Sequence, residues 1–186
     1  LNVGMIRIYS TADRDINKIA KQHYLGLEKI LHKRLKRNFV PQKLRNFFTT
    51  DEIFKIITSP PQELIKIEKK FKKYCVSNKV VFSKEKIEKI FNYSEFIKKS
   101  KSNAKWNGYS LTKALNVNSC PYCNRHRTVT HKSGKLEIER PDLDHYFSQS
   151  KHPLFAISFY NLIPCCEKCN RTHKLAQKFT LKNSIH

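Results

Sequence analysis

Glycine is scarce in this chain, with four residues in 186, while Lys, Asn and Ile are abundant. That composition suits a helix-rich protein rather than one built from many tight turns. Acidic side chains are also few, 15 against 37 Lys and Arg, which leaves a formal charge of +22. A balance this basic points first to phosphate-rich partners and second to an anionic membrane surface. Long apolar runs are missing, so no segment reads as a bilayer-spanning helix. Residues 1–14 lack the apolar stretch of a secretory signal. No internal repeat and no low-complexity segment is present. The expected location is cytoplasmic.

Cysteine is the residue present with a pattern. Four of the six fall in two CxxC pairs, Cys120-Pro-Tyr-Cys123 and Cys166-Glu-Lys-Cys169. Two such pairs across a long insert can hold one tetrahedral Zn²⁺ as a closed structural site. Disulfides are the competing use of six cysteines, but CxxC spacing beside His and Asp favours metal binding in a reducing compartment. Cys165 competes with Cys166, yet only Cys166 stands three residues before Cys169. Cys75 and Cys165 read as idle buried thiols. Four zinc-bound thiolates with one Zn²⁺ would lower the net charge by about two, which leaves the chain strongly basic.

The first hundred residues read as helices. Met5-Ile-Arg-Ile-Tyr9 reads as a strand, with residues 1–4 ahead of the native start. Ile16, Ile19, Ala20, His23, Leu27, Ile30 and Leu31 fall on one helical stripe, opened by a Ser10 and Asp13 capping box. His23 on that stripe is expected to be a satisfied core histidine, not a ligand. Pro41 ends the run. Thr49 with Glu52 predicts a second helix through Ile57, and Ser59 as cap before Pro60 and Pro61 predicts a third, burying Leu64, Ile65, Ile67, Phe71 and Tyr74. A fourth is expected over 84–99 with Ile87, Ile90, Phe91 and Ile97 inward. Residues 100–109 read as a linker between a mainly helical, Lys-rich region over 1–104 and a second domain over 105–186. The second region is expected to open with a short helix at Leu111 to Leu115. A hairpin of strands 128–130 and 136–139 about Ser133-Gly134 should follow, running on toward Asp144, with a last helix from Glu167 to about Lys178. The tail at 183–186 carries no helix-stop signal and reads as continuing further.

Inside the zinc clip lie Asp142-Leu-Asp144-His145, then Asn161 sixteen residues after His145, then Asn170 nine further on. This text, with Tyr160-Asn-Leu-Ile-Pro164 and Cys166-Glu-Lys-Cys169-Asn170, resembles the HNH (ββα-metal) endonuclease superfamily in its zinc-clipped form, over roughly residues 120–174. The resemblance implies an α+β chain in which a helical N-terminal region precedes a ββα-metal nuclease core held by the four-cysteine zinc site. It also implies roles. Asp144 matches the metal-binding carboxylate, and His145 the general base that activates water. Asn161 matches the middle Asn, which holds the loop and orients His145 by hydrogen bonding. Asn170 stands at the third signature position, where many members carry His. Asp144 with Asn170 offers only oxygen donors, which suits Mg²⁺ or Mn²⁺. Too few carboxylates accompany them for a two-metal site. His173, one helical turn beyond Asn170, is an auxiliary candidate ligand or phosphate contact. Asp142 alternates with Asp144 along the strand and can assist binding from the same side. Arg171, Lys174 and Lys151 are candidate phosphate contacts.

The expected activity is metal-dependent hydrolysis of nucleic-acid phosphodiester bonds, with double-stranded DNA as the default substrate and 5′-phosphate and 3′-hydroxyl products. The stretch from Arg140 through Pro164 is also similar to HNH subunits of bacterial antiphage systems, Septu among them, which act beside an ABC-type ATPase. That similarity implies a role as defence effector, with the helical region as a docking site for the ATPase. Two other readings stand beside it. A stand-alone restriction- or homing-type HNH nuclease would need a sequence-reading element, and no helix-turn-helix or further zinc finger is evident. A zinc-dependent adaptor without catalysis is the third, although it would not need Asn161 and Asn170 at these offsets.

Overall fold

A computed structural model of the chain describes residues 15–81, 83–99, 106–133 and 136–173, with side chains described as far as Arg171. The strand expected over 5–9, the Ser10 and Asp13 box, Gly134, most of the linker, Lys174 and the end of the last helix lie outside these residues.

The described residues form seven α-helical segments and two small sheets: α1 Ile16–Leu35, α2 Gln42–Phe47, α3 Thr50–Thr58, α4 Pro61–Ser77, α5 Lys84–Ile90, the single turn α6 Tyr93–Phe96 and α7 Gly108–Leu115. The strands are β1 His131–Ser133, β2 Leu136–Glu139, β3 Asp142–His145 and β4 Leu162–Cys165. The protein is thus α+β, with the pairs β1–β2 and β3–β4 each antiparallel.

Local chemistry sets the helix ends. Asp15 caps α1 by accepting from the Lys18 N–H at 2.9 Å. Thr49 Oγ1 accepts from the Glu52 N–H at 3.2 Å, half of the expected capping box. The Glu52 carboxylate turns instead to Lys70 on α4. Pro61 opens α4 at its first position, where a missing N–H has no cost, and Pro60 rather than Ser59 is its cap. The helix expected over 84–99 is two pieces. Asn92 breaks it, accepting from the Glu95 N–H at 2.8 Å and so starting α6. α2 is an element the pattern did not announce, six residues long between Pro41 and the Thr49 cap.

The hairpin is also displaced. Its first strand is His131–Ser133, not 128–130. Thr128 is drawn the other way, its N–H bonded to the Asn118 carbonyl and its hydroxyl to that of Val117. The chain then leaves β2 for a second ribbon, where β3 pairs with β4 in the register Asp142 to Cys165, Leu143 to Pro164, Asp144 to Ile163 and His145 to Leu162.

One hydrophobic core runs through the helices and the 143–162 segment without a break, from Leu31, Ile56 and Phe91 to Phe155, Ile157 and Phe159. The end of the expected linker belongs to it. Trp106 lies against Gly26 of α1, and Asn107 caps α7 while its amide donates to the buried Glu137 carboxylate at 3.0 and 3.1 Å. Buried Arg34 of α1 reaches the Ile90 carbonyl at 2.9 Å and Glu95 at 2.7 Å, fixing α1 against the α5–α6 corner. No described helix is long and apolar enough to cross a membrane.

Candidate metal centre and active site

The two CxxC pairs converge. The sulfur atoms of Cys120, Cys123, Cys166 and Cys169 all lie within 4.8 Å of one another, and none of them is in a disulfide. Tetrahedral zinc with Zn–S bonds of about 2.3 Å places its sulfurs about 3.8 Å apart. The Cys123 to Cys166 separation is 3.9 Å, close to that spacing. Each half is a tight turn shaped by its own sequence. In the first, the Asn124 N–H returns to the Cys120 carbonyl at 2.8 Å. Asn124 itself has φ of 51°, a left-handed backbone that Asn adopts at small cost. In the second, the Cys169 N–H points at the Cys166 sulfur, 3.5 Å away.

Electrostatics fit the same use. Burial and the neighbouring thiols hold Cys166 and Cys169 above the ordinary thiol range, a penalty that a dication would offset. Burial opposes ionisation of Cys123 too. Hydrogen bonds from His126 and the local backbone outweigh it there and bring the thiol down to about 5. The four thiols can hold a zinc ion. Cys165 is fully buried beside them but outside the four-sulfur group, as the spacing implied.

The first CxxC pair touches the Asp-His strand directly. Tyr122, between Cys120 and Cys123, donates its hydroxyl to Asp144 Oδ2 at 2.8 Å. Burial and the Asp144 charge push the Tyr122 phenol well above its usual range, so it stays a donor. The other Asp144 oxygen accepts from the His145 N–H at 2.7 Å. On the same face of the ribbon, Asp142 Oδ2 accepts from the Asn170 side-chain amide at 3.0 Å. Asn170 lies on a helical turn that widens to the π form over Cys169–His173, a distortion frequent at functional sites. Asp144 is thus bonded to Tyr122 and Asp142 to Asn170. The side chain of His173 lies outside the described residues.

His145 closes β3 and is 9% exposed. Its Nε2 lies 2.9 Å from the Ala156 carbonyl oxygen. A carbonyl only accepts, so Nε2 carries the proton, and the neutral ring has its lone pair at Nδ1. The Tyr93 ring packs edge-on against the imidazole with centroids 4.4 Å apart. Tyr93 is held in turn by a 2.9 Å bond from its hydroxyl to the Leu143 carbonyl. Asn161 is fully buried and makes three bonds to the loop backbone, at 2.6 Å from the Phe147 N–H, 2.8 Å to Phe155 O and 3.3 Å to Phe147 O. These bonds hold the loop. The bond that orients the His145 ring comes from Ala156, whose neighbour Phe155 is the one Asn161 grips.

Among the described residues the four cysteines are the one group of three or more His, Cys, Asp or Glu side chains placed to share an ion. Asp142, Asp144 and Asn170 on one ribbon face offer oxygen donors of the kind Mg²⁺ or Mn²⁺ prefers. Sequence reasoning missed Tyr93, for which no local signal exists. Tyr122 stands inside the first CxxC pair, and that position puts it beside the cysteine cluster. Lys151 and Arg171 are surface cations, and Arg171 pairs with Glu167 at 2.9 Å.

The fold and site define an α+β protein in which four cysteines that can hold a metal ion adjoin a buried Asp-His strand. Compared with known proteins, the chain matches no family model, and no curated protein or solved structure shows significant similarity to it.

Proposed function

We propose that the chain is a metal-dependent endonuclease of the HNH type that hydrolyses phosphodiester bonds, with double-stranded DNA as substrate. The single observation that carries this reading is the His145 bond to the Ala156 carbonyl. It sets the tautomer a general base requires, on a strand that also carries Asp144. The order of parts supports it as well: a strand ending in Asp144-His145, a loop held by Asn161, a second strand, and a helical turn bearing Asn170. The charge of +22 suits a polyanionic substrate.

In this reading His145 Nδ1 accepts a proton from the attacking water as the new phosphorus–oxygen bond forms. The 3′ oxygen leaves in line and takes a proton from solvent, giving 5′-phosphate and 3′-hydroxyl ends. Tyr93 and Ala156 hold the imidazole. Tyr122 orients the Asp144 carboxylate, and Asp142 orients Asn170. A hard divalent cation bound to these oxygens would relieve charge on the phosphoryl group and on the departing oxygen. Zinc at Cys120, Cys123, Cys166 and Cys169 would fix the ribbon to the turn that follows it. The motif resemblance to antiphage HNH subunits supports an ABC-type ATPase as partner of the helical region, and stable co-purification with such an ATPase tests that assignment.

Plasmid DNA incubated with the protein and Mg²⁺ or Mn²⁺ tests the chemistry. Metal-dependent nicking is expected, abolished by EDTA and reduced about 10²- to 10⁴-fold in His145→Ala, the range set by loss of a general base. Silence of the wild type both alone and with its native ATPase would leave the zinc-dependent adaptor as the reading.

A further inference from the structure

The loop that carries Ala156 is clamped residue by residue. Phe155 O accepts from Asn161 at 2.8 Å, Ala156 O from His145 at 2.9 Å and Ile157 O from His23 Nε2 at 2.8 Å. The Ser158 hydroxyl then donates to Ile56 O on α3 at 2.6 Å. Two adjacent carbonyls thus receive Nε2 protons from two histidines 122 positions apart, one on the Asp-His strand and one on α1. His23 is itself over-determined. It is fully buried, its Nδ1 accepts from the Trp106 indole at 2.8 Å, and Phe96 and Phe159 pack on its ring. Because Nδ1 is an acceptor, Nε2 must be the donor. Burial brings His23 down to about 4, so this arrangement persists at neutral pH.

We infer that His23 is a positioning residue for the reaction: through Ile157 it fixes the Ala156 carbonyl that sets the tautomer and orientation of the His145 base. A core histidine serving packing alone needs no fixed tautomer, and an apolar ring would fill the same volume without desolvating two polar atoms. Here the proton on Nε2 is dictated by Trp106 and delivered one residue from the carbonyl that His145 uses. The chain Trp106, His23, Ile157, Ala156, His145 is continuous through three hydrogen bonds and two successive peptide groups joined at Ile157. A 1 Å misplacement of a reacting group can cost about 10²-fold in rate, so a support this close to the base has kinetic consequence.

The inference rests on the nuclease reading for its kinetic part and on His145 alone for its structural part. Histidine-selective ¹⁵N NMR at pH 8 reads the His145 tautomer without any assay of cleavage. The wild type is expected to show a single Nε2–H form. His23→Phe, which keeps a ring but has no donor, should give His145 a mixed tautomer and lower kcat about tenfold to a hundredfold with little change in KM for DNA. His23→Gln can still donate to Ile157 O and should restore both. A single Nε2–H His145 and a wild-type pH–rate profile in folded His23→Phe would overturn the inference. If His23→Phe does not fold, Trp106→Phe decides. It frees the His23 tautomer, and an unchanged His145 spectrum there would be equally fatal. A tautomer shift in a protein that never cuts DNA would sustain the positioning role and sink the nuclease.

Discussion

Gly26 sits in the middle of α1, where glycine costs about 1 kcal/mol against alanine. Gly26→Ala should therefore stabilise the helix if nothing lies against it. Something does. A Cβ at this position would fall 2.4 Å from both Cβ and Cγ of Trp106 and 2.9 Å from its Cδ2. The close atoms are at the root of the side chain, so a rotamer change does not relieve the overlap and residue 106 must move. Restoring ordinary contact takes about 1 Å, which by the usual cost of overpacking is about 1–3 kcal/mol. The same displacement pulls the indole from His23, where the bond is 2.8 Å, and leaves a buried acceptor unsatisfied. That adds about 1–3 kcal/mol. Set against the propensity gain of about 1 kcal/mol, the clash wins, for a net loss near 3 kcal/mol. In a chain of this size the Tm should fall by about 6–12 °C.

Urea denaturation followed by intrinsic fluorescence is the assay, because Trp106 is the only tryptophan in the chain and reports from the contact itself. A red-shifted native emission should accompany the lower midpoint. Trp106→Gly removes the three atoms nearest that Cβ, so in that background Gly26→Ala should change sign and stabilise by about 1 kcal/mol. A Gly26→Ala protein that is more stable than wild type, with unaltered emission, would refute the packing of residue 106 on α1 and with it the His23 bond.

Metal analysis should find one zinc per chain, lost together with near-native resistance to proteolysis over 119–173 in Cys120→Ser; thiol clips of this kind contribute about 10 kcal/mol or more in small modules. Free reactivity of all four thiols in the untreated protein would remove the zinc. Asn161→Ala deletes three buried bonds to the loop and should cost about 3 kcal/mol or more in urea, whereas a loss below about 1 kcal/mol would show that the amide does not carry the loop. Acid should weaken the fold through His23. The unfolded side chain gains its proton at 6.5 and the folded one only at about 4, so protonation favours unfolding. That stability is complete above pH 6.5 and lost as pH falls to about 4, near 3 kcal/mol in all. The acid slope should be absent between the same limits in His23→Gln, and its persistence there would assign it to other groups.

What the sequence disclosed was what short-range spacing encodes. CxxC fixes two sulfurs within one turn, so Cys120, Cys123, Cys166 and Cys169 could be read as one site before any fold was known. The helical stripe placed His23 in the core, and a satisfied core histidine is what it is. Partners at long range were not legible. Nothing near Tyr93 announces that it will face His145, 52 positions later, and nothing near Trp106 links it to Gly26. β4 was hidden because Pro164 lacks an N–H and argues against a strand, and Cys165 and Cys166 draw attention to metal instead. It survives because a two-stranded ribbon leaves one edge unpaired on each strand. The break at Asn92 was available in principle, since an Asn three residues before a Glu is a cap signal, but the apolar stripe through Ile97 outvoted it.

The two halves of the sequence meet at the backbone of residues 155–158. The β3–β4 ribbon is too small to bury its own loop, so the loop's polar atoms must be satisfied from the ribbon side and from outside it. The structure does both. Asn161 and His145 reach in from the ribbon side, while His23 and the Ile56 carbonyl reach in from α1 and α3. Because the carbonyls of Phe155, Ala156 and Ile157 are held by three different side chains, loss of one lets its peptide tilt and disturbs the next. The helices therefore do more than supply basic surface. Their packing sets the position of the Ala156 carbonyl, and that carbonyl decides which nitrogen of His145 holds its proton.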